Sequence, residues 1–323
     1  HVMQIGFVGL GKMGGNMVLR LVVGSPDGKV KGTHSVVGYA TAPNPDLEGV
    51  GNVSVVDSLD RLIAALKPPR AVWVMVPAGN ATEQVVSDLA ERMDAGDVII
   101  DGGNSHYVDS VRRGEGLAKR DIGFLDVGTS GGVWGRSEGY CMMVGGTPDH
   151  VQRLRPIFET LAPKDGWAHV GKGGAGHFVK MVHNGIEYGL MEAYAEGFEV
   201  MYKSPYGVDL YQVAKCWNHG SVVRSWLLEL SERMLSPEGE GPALEKVSPY
   251  VVDSGEGRWT IHAAMELDAP VPVIAAALFA RFASRDPYNY SARFAAGLRN
   301  QFGGHAITRP SDKQIEETGA VKK

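Results

Sequence analysis

Two cysteines in 323 residues, Cys141 and Cys216, supply neither a disulfide framework nor a thiolate metal site. Cys141 is expected to serve as packing. No apolar run approaches the roughly 20 residues of a transmembrane helix, and the chain start lacks a basic-then-apolar secretory pattern. His1 and Val2, ahead of Met3, have the look of a cloning remnant. Basic excess is missing too: the formal net charge is −5, which argues against a nucleic-acid or membrane-surface role. These absences favour a cytoplasmic protein with a small-molecule partner, no nucleic acid, no membrane and no metal.

Glycine is abundant, with 43 residues, and the 44% hydrophobic content suffices for two cored domains. Gln4–Val8 is β-rich and runs into Gly9-Leu10-Gly11-Lys12-Met13-Gly14, followed by a helical pattern from Asn16 to Val23. In a GxGxxG loop between strand and helix, the first glycine makes a tight turn. The second lets a pyrophosphate approach the backbone, and the third lets helix pack on strand. Further β runs at Ser35–Tyr39, Ala71–Val76, Val98–Asp101 and Phe124–Val127 alternate with helical stretches. That alternation predicts an α/β fold, a Rossmann-type doubly wound parallel sheet, over residues 3–174. Ligands in such sheets sit beyond the carboxyl ends of the strands, where the small polar loops Pro77-Ala78-Gly79, Asp101-Gly102-Gly103-Asn104-Ser105 and Gly128-Thr129-Ser130-Gly131-Gly132 form a rim. Residues 175–323 carry helical patterns without period-two strands and are expected to form an all-helical substrate-binding and oligomerisation domain, with a fraying polar tail from Thr308.

The second domain opens on a polar stripe. Lys180, His183, Asn184, Glu187 and Tyr188 fall at i, i+3, i+4, i+7 and i+8, positions that normally hold a core-facing apolar face. Phe178, Val179, Met181, Val182, Ile186, Leu190 and Met191 flank it, so the polar groups are expected to look into a partly desolvated cleft suited to proton transfer. Arg258, Thr260, Arg281, Arg285, Arg299 and His305 are candidate anion contacts.

At the end of the second strand a Rossmann fold carries an acidic residue for the NAD ribose or an arginine for the NADP phosphate. This chain has Ala40-Thr41-Ala42-Pro43-Asn44, with neither charge, and a polar segment near Gly24–Thr33 precedes the strand.

The segments GLGKMGGNM, MVPAG, DGGNSHY, GTSGGVWGRSEGYCMMVGG, GHFVKMVHNGIEYGLMEAYAEG, GRWT and FGGH together resemble 6-phosphogluconate dehydrogenase in its shorter-chain form, within the β-hydroxyacid dehydrogenase superfamily. The resemblance implies oxidative decarboxylation of 6-phosphogluconate to ribulose 5-phosphate and carbon dioxide, with Lys180 as general base and Glu187 as general acid. Asn184 and His183 would orient the reacting hydroxyl and carbonyl, and Asn104, Ser130, Gly131 and Gly132 would hold the carboxylate end. Tyr188, Arg258, Thr260 and Arg281 would bind the phosphate, joined by Arg299 and His305 from a neighbouring subunit, which implies a homodimer or dimer of dimers with a shared active site. The cofactor would lie on Gly9, Leu10, Gly11, Lys12, Met13, Gly14, Thr41, Val76, Pro77, Ala78 and Asn104. Because the ribose site is uncharged, three carriers stay open: weakly selective NAD or NADP, NADP held through Thr41 and Asn44, or a deazaflavin coenzyme. Two other readings are a dehydrogenase of a smaller β-hydroxyacid such as 3-hydroxyisobutyrate, and a non-catalytic sensor of cofactor or sugar phosphate.

Overall fold

A computed structural model describes residues 2–239, 244–304 and 306–308. The chain divides into two compact units, residues 1–183 and 184–323.

In the first unit the elements run β1 (Gln4–Val8), α1 (Lys12–Val22), β2 (Ser35–Tyr39), β3 (Val53–Val56), α2 (Leu59–Ala65), β4 (Ala71–Val74), α3 (Asn80–Ala90), β5 (Val98–Asp101) and α4 (Tyr107–Ala118). They continue with β6 (Gly123–Ser130), α5 (Gly135–Glu138), β7 (Cys141–Gly145), α6 (Pro148–Leu161), β8 (Trp167–Gly171) and α7 (Ala175–Lys203). The strands form one sheet in the order β3-β2-β1-β4-β5-β6-β7-β8. Neighbours are parallel except β6 and β7, which pair antiparallel, with Ser130 opposite Cys141. The expected parallel sheet is therefore mostly parallel, its last two strands reversed. β3, β7 and β8 are further strands that the sequence reading did not single out.

Central strands such as Ala71–Val74 and Val98–Asp101 are buried on both faces, so they read as continuous apolar runs. On one face Trp73 stacks on Phe7 at 5.8 Å and meets Phe158 edge-on at 6.2 Å. Leu62, Val72, Leu89 and Ile99 fill the other face, and each such fully buried side chain contributes about 1.5–3 kcal/mol. The strand order reverses between β1 and β4, which opens the crevice beside the glycine loop. Cys141 is exposed, not packed, because it heads β7 ahead of the buried run Met142–Gly145.

The polar segment after α1 closes on itself. Gly24 bridges Lys31, the Ser25 N–H donates to the Val30 carbonyl at 3.0 Å, and Asp27 accepts from the Ser25 hydroxyl at 2.6 Å. It lies beyond the C-terminal end of α1, roughly 16 Å along the helix from the glycine loop.

The second unit contains the remainder of α7 and helices α8 (Leu210–Trp217), α9 (Trp226–Leu235), α10 (Glu256–Glu266), α11 (Pro272–Ser284) and α12 (Tyr290–Gly303). α8 packs on α9 and α10 on α11. A small buried cluster of Tyr188, Ala277 and Leu278 anchors this unit.

Candidate active site

The glycine loop is built by close packing. A Cβ on Gly9, whose φ is +95°, would sit 2.2 Å from the Met75 carbonyl oxygen, and one on Gly14 would sit 2.1 Å from that of Gly9. These two glycines are needed by the fold. Gly11 is different: a Cβ there would meet nothing within 4 Å. It is the N-cap of α1 and makes no side-chain cap, so the helix N-terminus faces open space that a phosphate can fill. Lys12 is exposed beside it, Leu10 is buried, and Met13 is half-buried.

Next to this loop, Asn44 donates through Nδ2 to the Leu10 carbonyl at 2.8 Å and accepts from the Asp46 N–H at 3.0 Å. Its amide is thus committed to the backbone, while Thr41 is exposed at the end of β2. Val76, half-buried, and the exposed Pro77 and Ala78 follow β4.

A guanidinium that the sequence did not single out joins two rim loops. Arg113 of α4 is almost fully buried; its Nε donates to Glu83 at 2.8 Å, and its Nη1 reaches Asp101 at 3.4 Å and Ser105 at 3.5 Å. Nη2 reaches the Gly79 carbonyl at 3.5 Å. Asp101, wholly buried at the end of β5, also accepts from the Ser105 hydroxyl at 2.7 Å and the Gly103 N–H at 3.1 Å. The loop that carries exposed Asn104 is thereby tied to the loop after β4. Arg112, paired to both oxygens of Glu83, holds that carboxyl down at about 2, with Arg113 assisting.

Ser130 and Gly131 are half-buried and Gly132 is exposed, following β6, where Gly131 (φ +139°) and Gly132 (φ +53°) adopt conformations that disfavour side chains. On the same strand a Cβ at Gly128 would lie 2.3 Å from Lys180 Cβ, so the absent side chain is what seats Lys180 against the sheet. Lys180 and His183, both half-buried, complete the first unit's candidates.

On the second unit's part of α7, Asn184 and Glu187 are half-buried and Tyr188 is buried. The flanking apolar residues fall short of the expected wall: Met181 is buried, but Ile186, Leu190 and Met191 are exposed. Around Tyr188 the structure gathers three of the candidate cations. Arg281 Cζ lies 3.5 Å from the Tyr188 ring centroid, and its Nη1 donates to the Val252 carbonyl at 2.8 Å. Arg258 forks onto Asp253 at 3.0 and 3.1 Å, and Arg285 joins the same carboxylate at 2.9 Å. Arg258, then Arg285, hold the Asp253 carboxyl below its ordinary range against the opposing effect of burial. Thr260 is buried and donates to the Glu256 carbonyl at 2.8 Å, its side chain facing Gly185. Arg299 is exposed on α12, apart from that cluster in the sequence, and His305 lies outside the described residues. Among the described residues no group of three or more His, Cys, Asp or Glu side chains is placed to hold a metal ion, and no helix is long and apolar enough to cross a membrane.

Residues 4–171 match the model of the NAD binding domain of 6-phosphogluconate dehydrogenase, and residues 176–318 match that of its C-terminal domain. An NAD(+)-dependent, decarboxylating 6-phosphogluconate dehydrogenase of Haloferax volcanii is 43% identical over 316 residues, spanning 96% of this chain and 100% of the relative. The Plasmodium falciparum 6-phosphogluconate dehydrogenase structure, studied with NADP+ and with 6-phosphogluconate, superposes with a TM-score of 0.77 at 28% identity, covering 97% of this chain and 68% of that one. A 3-hydroxyisobutyrate dehydrogenase of Mycobacterium tuberculosis shares the fold, with a TM-score of 0.68 at 24% identity over 88% of this chain and 94% of its own.

Proposed function

The chain belongs to the 6-phosphogluconate dehydrogenase family, and from that premise we propose that it oxidatively decarboxylates 6-phosphogluconate to ribulose 5-phosphate and carbon dioxide. The observation that carries this reading is Lys180, seated against β6 by Gly128 on a helix that also bears His183, Asn184 and Glu187. Lys180 takes the proton of the 3-hydroxyl; the cofactor, which Gly9–Gly14 and the loops after β4 and β5 would hold, would supply the hydride acceptor for the third carbon. The β-keto acid then loses carbon dioxide with protonated Lys180 at the carbonyl, and Glu187 delivers a proton to the enediol carbon. Asn184 and His183 orient the oxygens, and Asn104, Ser130, Gly131 and Gly132 hold the carboxylate. Arg258, Arg281, Tyr188 and Thr260 form the phosphate end. There the Arg258 fork exchanges Asp253 for phosphate oxygens, a geometry to which guanidinium is suited.

A nicotinamide dinucleotide is the first reading of the cofactor, since open space at Gly11 fits a pyrophosphate. The uncharged end of β2, with Asn44 committed to Leu10, favours a second reading, a deazaflavin carrier that presents no adenosine ribose. Exposed Ile186, Leu190 and Met191 on α7 and Phe279 on α11 support a homodimer or larger assembly in which a second copy covers them and contributes Arg299 and His305.

The test is an assay with 6-phosphogluconate that offers NAD, NADP and an oxidised deazaflavin separately, recording cofactor reduction and carbon dioxide release, with sedimentation alongside. Silence with all three carriers would overturn the substrate assignment, and a fully active monomer would remove the shared site. Turnover of 3-hydroxyisobutyrate that survives Arg281→Ala would favour the smaller-acid reading, and tight substrate binding without turnover the sensor.

Arg113→Met should raise the KM of the cofactor about tenfold, because the lost charged hydrogen bonds release the two rim loops. The KM for the sugar phosphate should rise less, since Asn104 is the one proposed substrate ligand on those loops and no proposed phosphate ligand touches Arg113. Steady-state kinetics varying each substrate in turn checks this, and a change confined to the sugar-phosphate KM would contradict it.

A further inference from the structure

Asp126 is a buried carboxylate to which the proposed chemistry gives no part. It lies in the middle of β6, wholly buried, between Leu125 and Val127, which are also fully buried. An ionised carboxylate in such surroundings is costly unless its oxygens are fully engaged. Here both are. Oδ1 accepts from the Gly174 N–H at 2.7 Å and Oδ2 from the His177 N–H at 2.8 Å.

Gly174 immediately precedes α7, and the first bond of that helix runs from the Phe178 N–H to the Gly174 carbonyl at 3.0 Å. The two amides that Asp126 receives therefore belong to the group of N–H donors that every helix leaves unsatisfied at its start, at the end where the macrodipole favours negative charge. The cap comes from across the fold, 48 and 51 residues away in sequence.

Glycines make the approach possible. A Cβ on Gly176 would meet the Asp126 carbonyl oxygen at 2.2 Å, and one on Gly145 would meet Asp126 Oδ1 at 2.5 Å. The His177 side chain, 2% exposed, is also held, its Nδ1 lying 2.6 Å from Ser110 Oγ of α4. The first turn of α7 is thus fixed along its axis by Asp126 and in rotation by Ser110. Lys180 follows His177 by three residues, a rise of about 4.5 Å, and its Cβ rests on Gly128, two residues along β6 from Asp126 on the same face. Any slip at His177 is transmitted to Lys180 through less than one helical turn.

We propose that Asp126 is a positioning residue: its carboxylate clamps the start of α7 to β6 and so sets where Lys180 presents its amine. The proposal rests on Lys180 being the base of the reaction. The carboxylate itself touches neither substrate nor cofactor in this account.

The test uses the full chain as wild type, Asp126→Asn and Asp126→Ala. It measures kcat and KM with 6-phosphogluconate and the carrier that wild type reduces, together with amide hydrogen exchange across residues 174–180. Asn keeps the size but offers one acceptor oxygen and sets its NH2 against the other N–H donor. We expect its kcat to fall about 10- to 100-fold, as a misplaced catalytic group does, with both KM values within about threefold. Exchange at Gly174 and His177 should rise in both variants. Wild-type kcat in Asp126→Asn, a loss confined to KM, or unchanged exchange at those amides would overturn the clamp. Asp126→Asn decides the matter if Asp126→Ala does not fold. If wild type does not turn over 6-phosphogluconate, the substrate reading fails on that result alone, while the exchange measurement still supports or overturns the clamp.

Discussion

Lys180→Met is expected to fold normally and to lose about 10³- to 10⁴-fold in kcat, the size of contribution that a positioned proton-transfer group makes. Methionine keeps the unbranched stem. The contact that seats residue 180 against β6 is made by Cβ and Cγ, which lie 2.3 and 3.0 Å from the position a Gly128 Cβ would take. Both atoms are present in methionine, so the melting transition should move by less than the equivalent of about 1 kcal/mol. The KM for the sugar phosphate should change little, because the proposed phosphate ligands are other residues. Circular dichroism melts and steady-state kinetics on the purified variant check both halves. A variant that keeps more than a tenth of the wild-type kcat would remove Lys180 as the base.

Gly128→Ala should lower kcat on the order of 100-fold, although it adds a single methyl group away from any proposed ligand contact. The new Cβ would lie 2.3 Å from Lys180 Cβ and 2.8 Å from the Gly176 carbonyl oxygen. Neither neighbour can rotate away, since one is a Cβ and the other backbone. α7 must lift off β6 instead. Overpacking of this kind costs about 1–3 kcal/mol, and a shift of about 1 Å at a catalytic group costs on the order of 100-fold in rate. Thermal melting and kcat should therefore both fall. Gly116→Ala is the control: it lies within α4, and a Cβ there meets nothing within 4 Å, so it should be neutral or slightly stabilising. Wild-type kcat in Gly128→Ala would mean that close contact with β6 does not place Lys180.

Both experiments concern features of unequal visibility in the chain. The glycine loop was legible because its three glycines stand in order between a β-rich run and a helical one. Lys180, His183, Asn184, Glu187 and Tyr188 were legible because helical spacing puts them on one stripe, and α7 does span Ala175–Lys203. Arg113 was not. In sequence it is one of two adjacent arginines in an ordinary polar helix, and its burial comes from Glu83, Asp101 and Gly79, which lie 12 to 34 residues away. Asp126 did leave a signal that spacing rules overlook: a charged residue inside the apolar strand Gly123–Ser130 demands a buried partner.

The sequence by itself determined five of the eight strands and their alternation with helices, the glycine turn and the family, because each depends on patterns within a few residues or on a contiguous motif. It also displayed the uncharged end of β2. Only the tertiary structure decided that Asn44 is committed to the glycine loop, that the Gly24–Lys31 turn lies at the far end of α1, and that β7 reverses direction. It likewise decided that Asp126 and Gly128 fix the start of the helix bearing Lys180. The reason is physical: a hydrogen bond or a forbidden Cβ is a property of two chain segments brought together, and neither segment carries the distance between them.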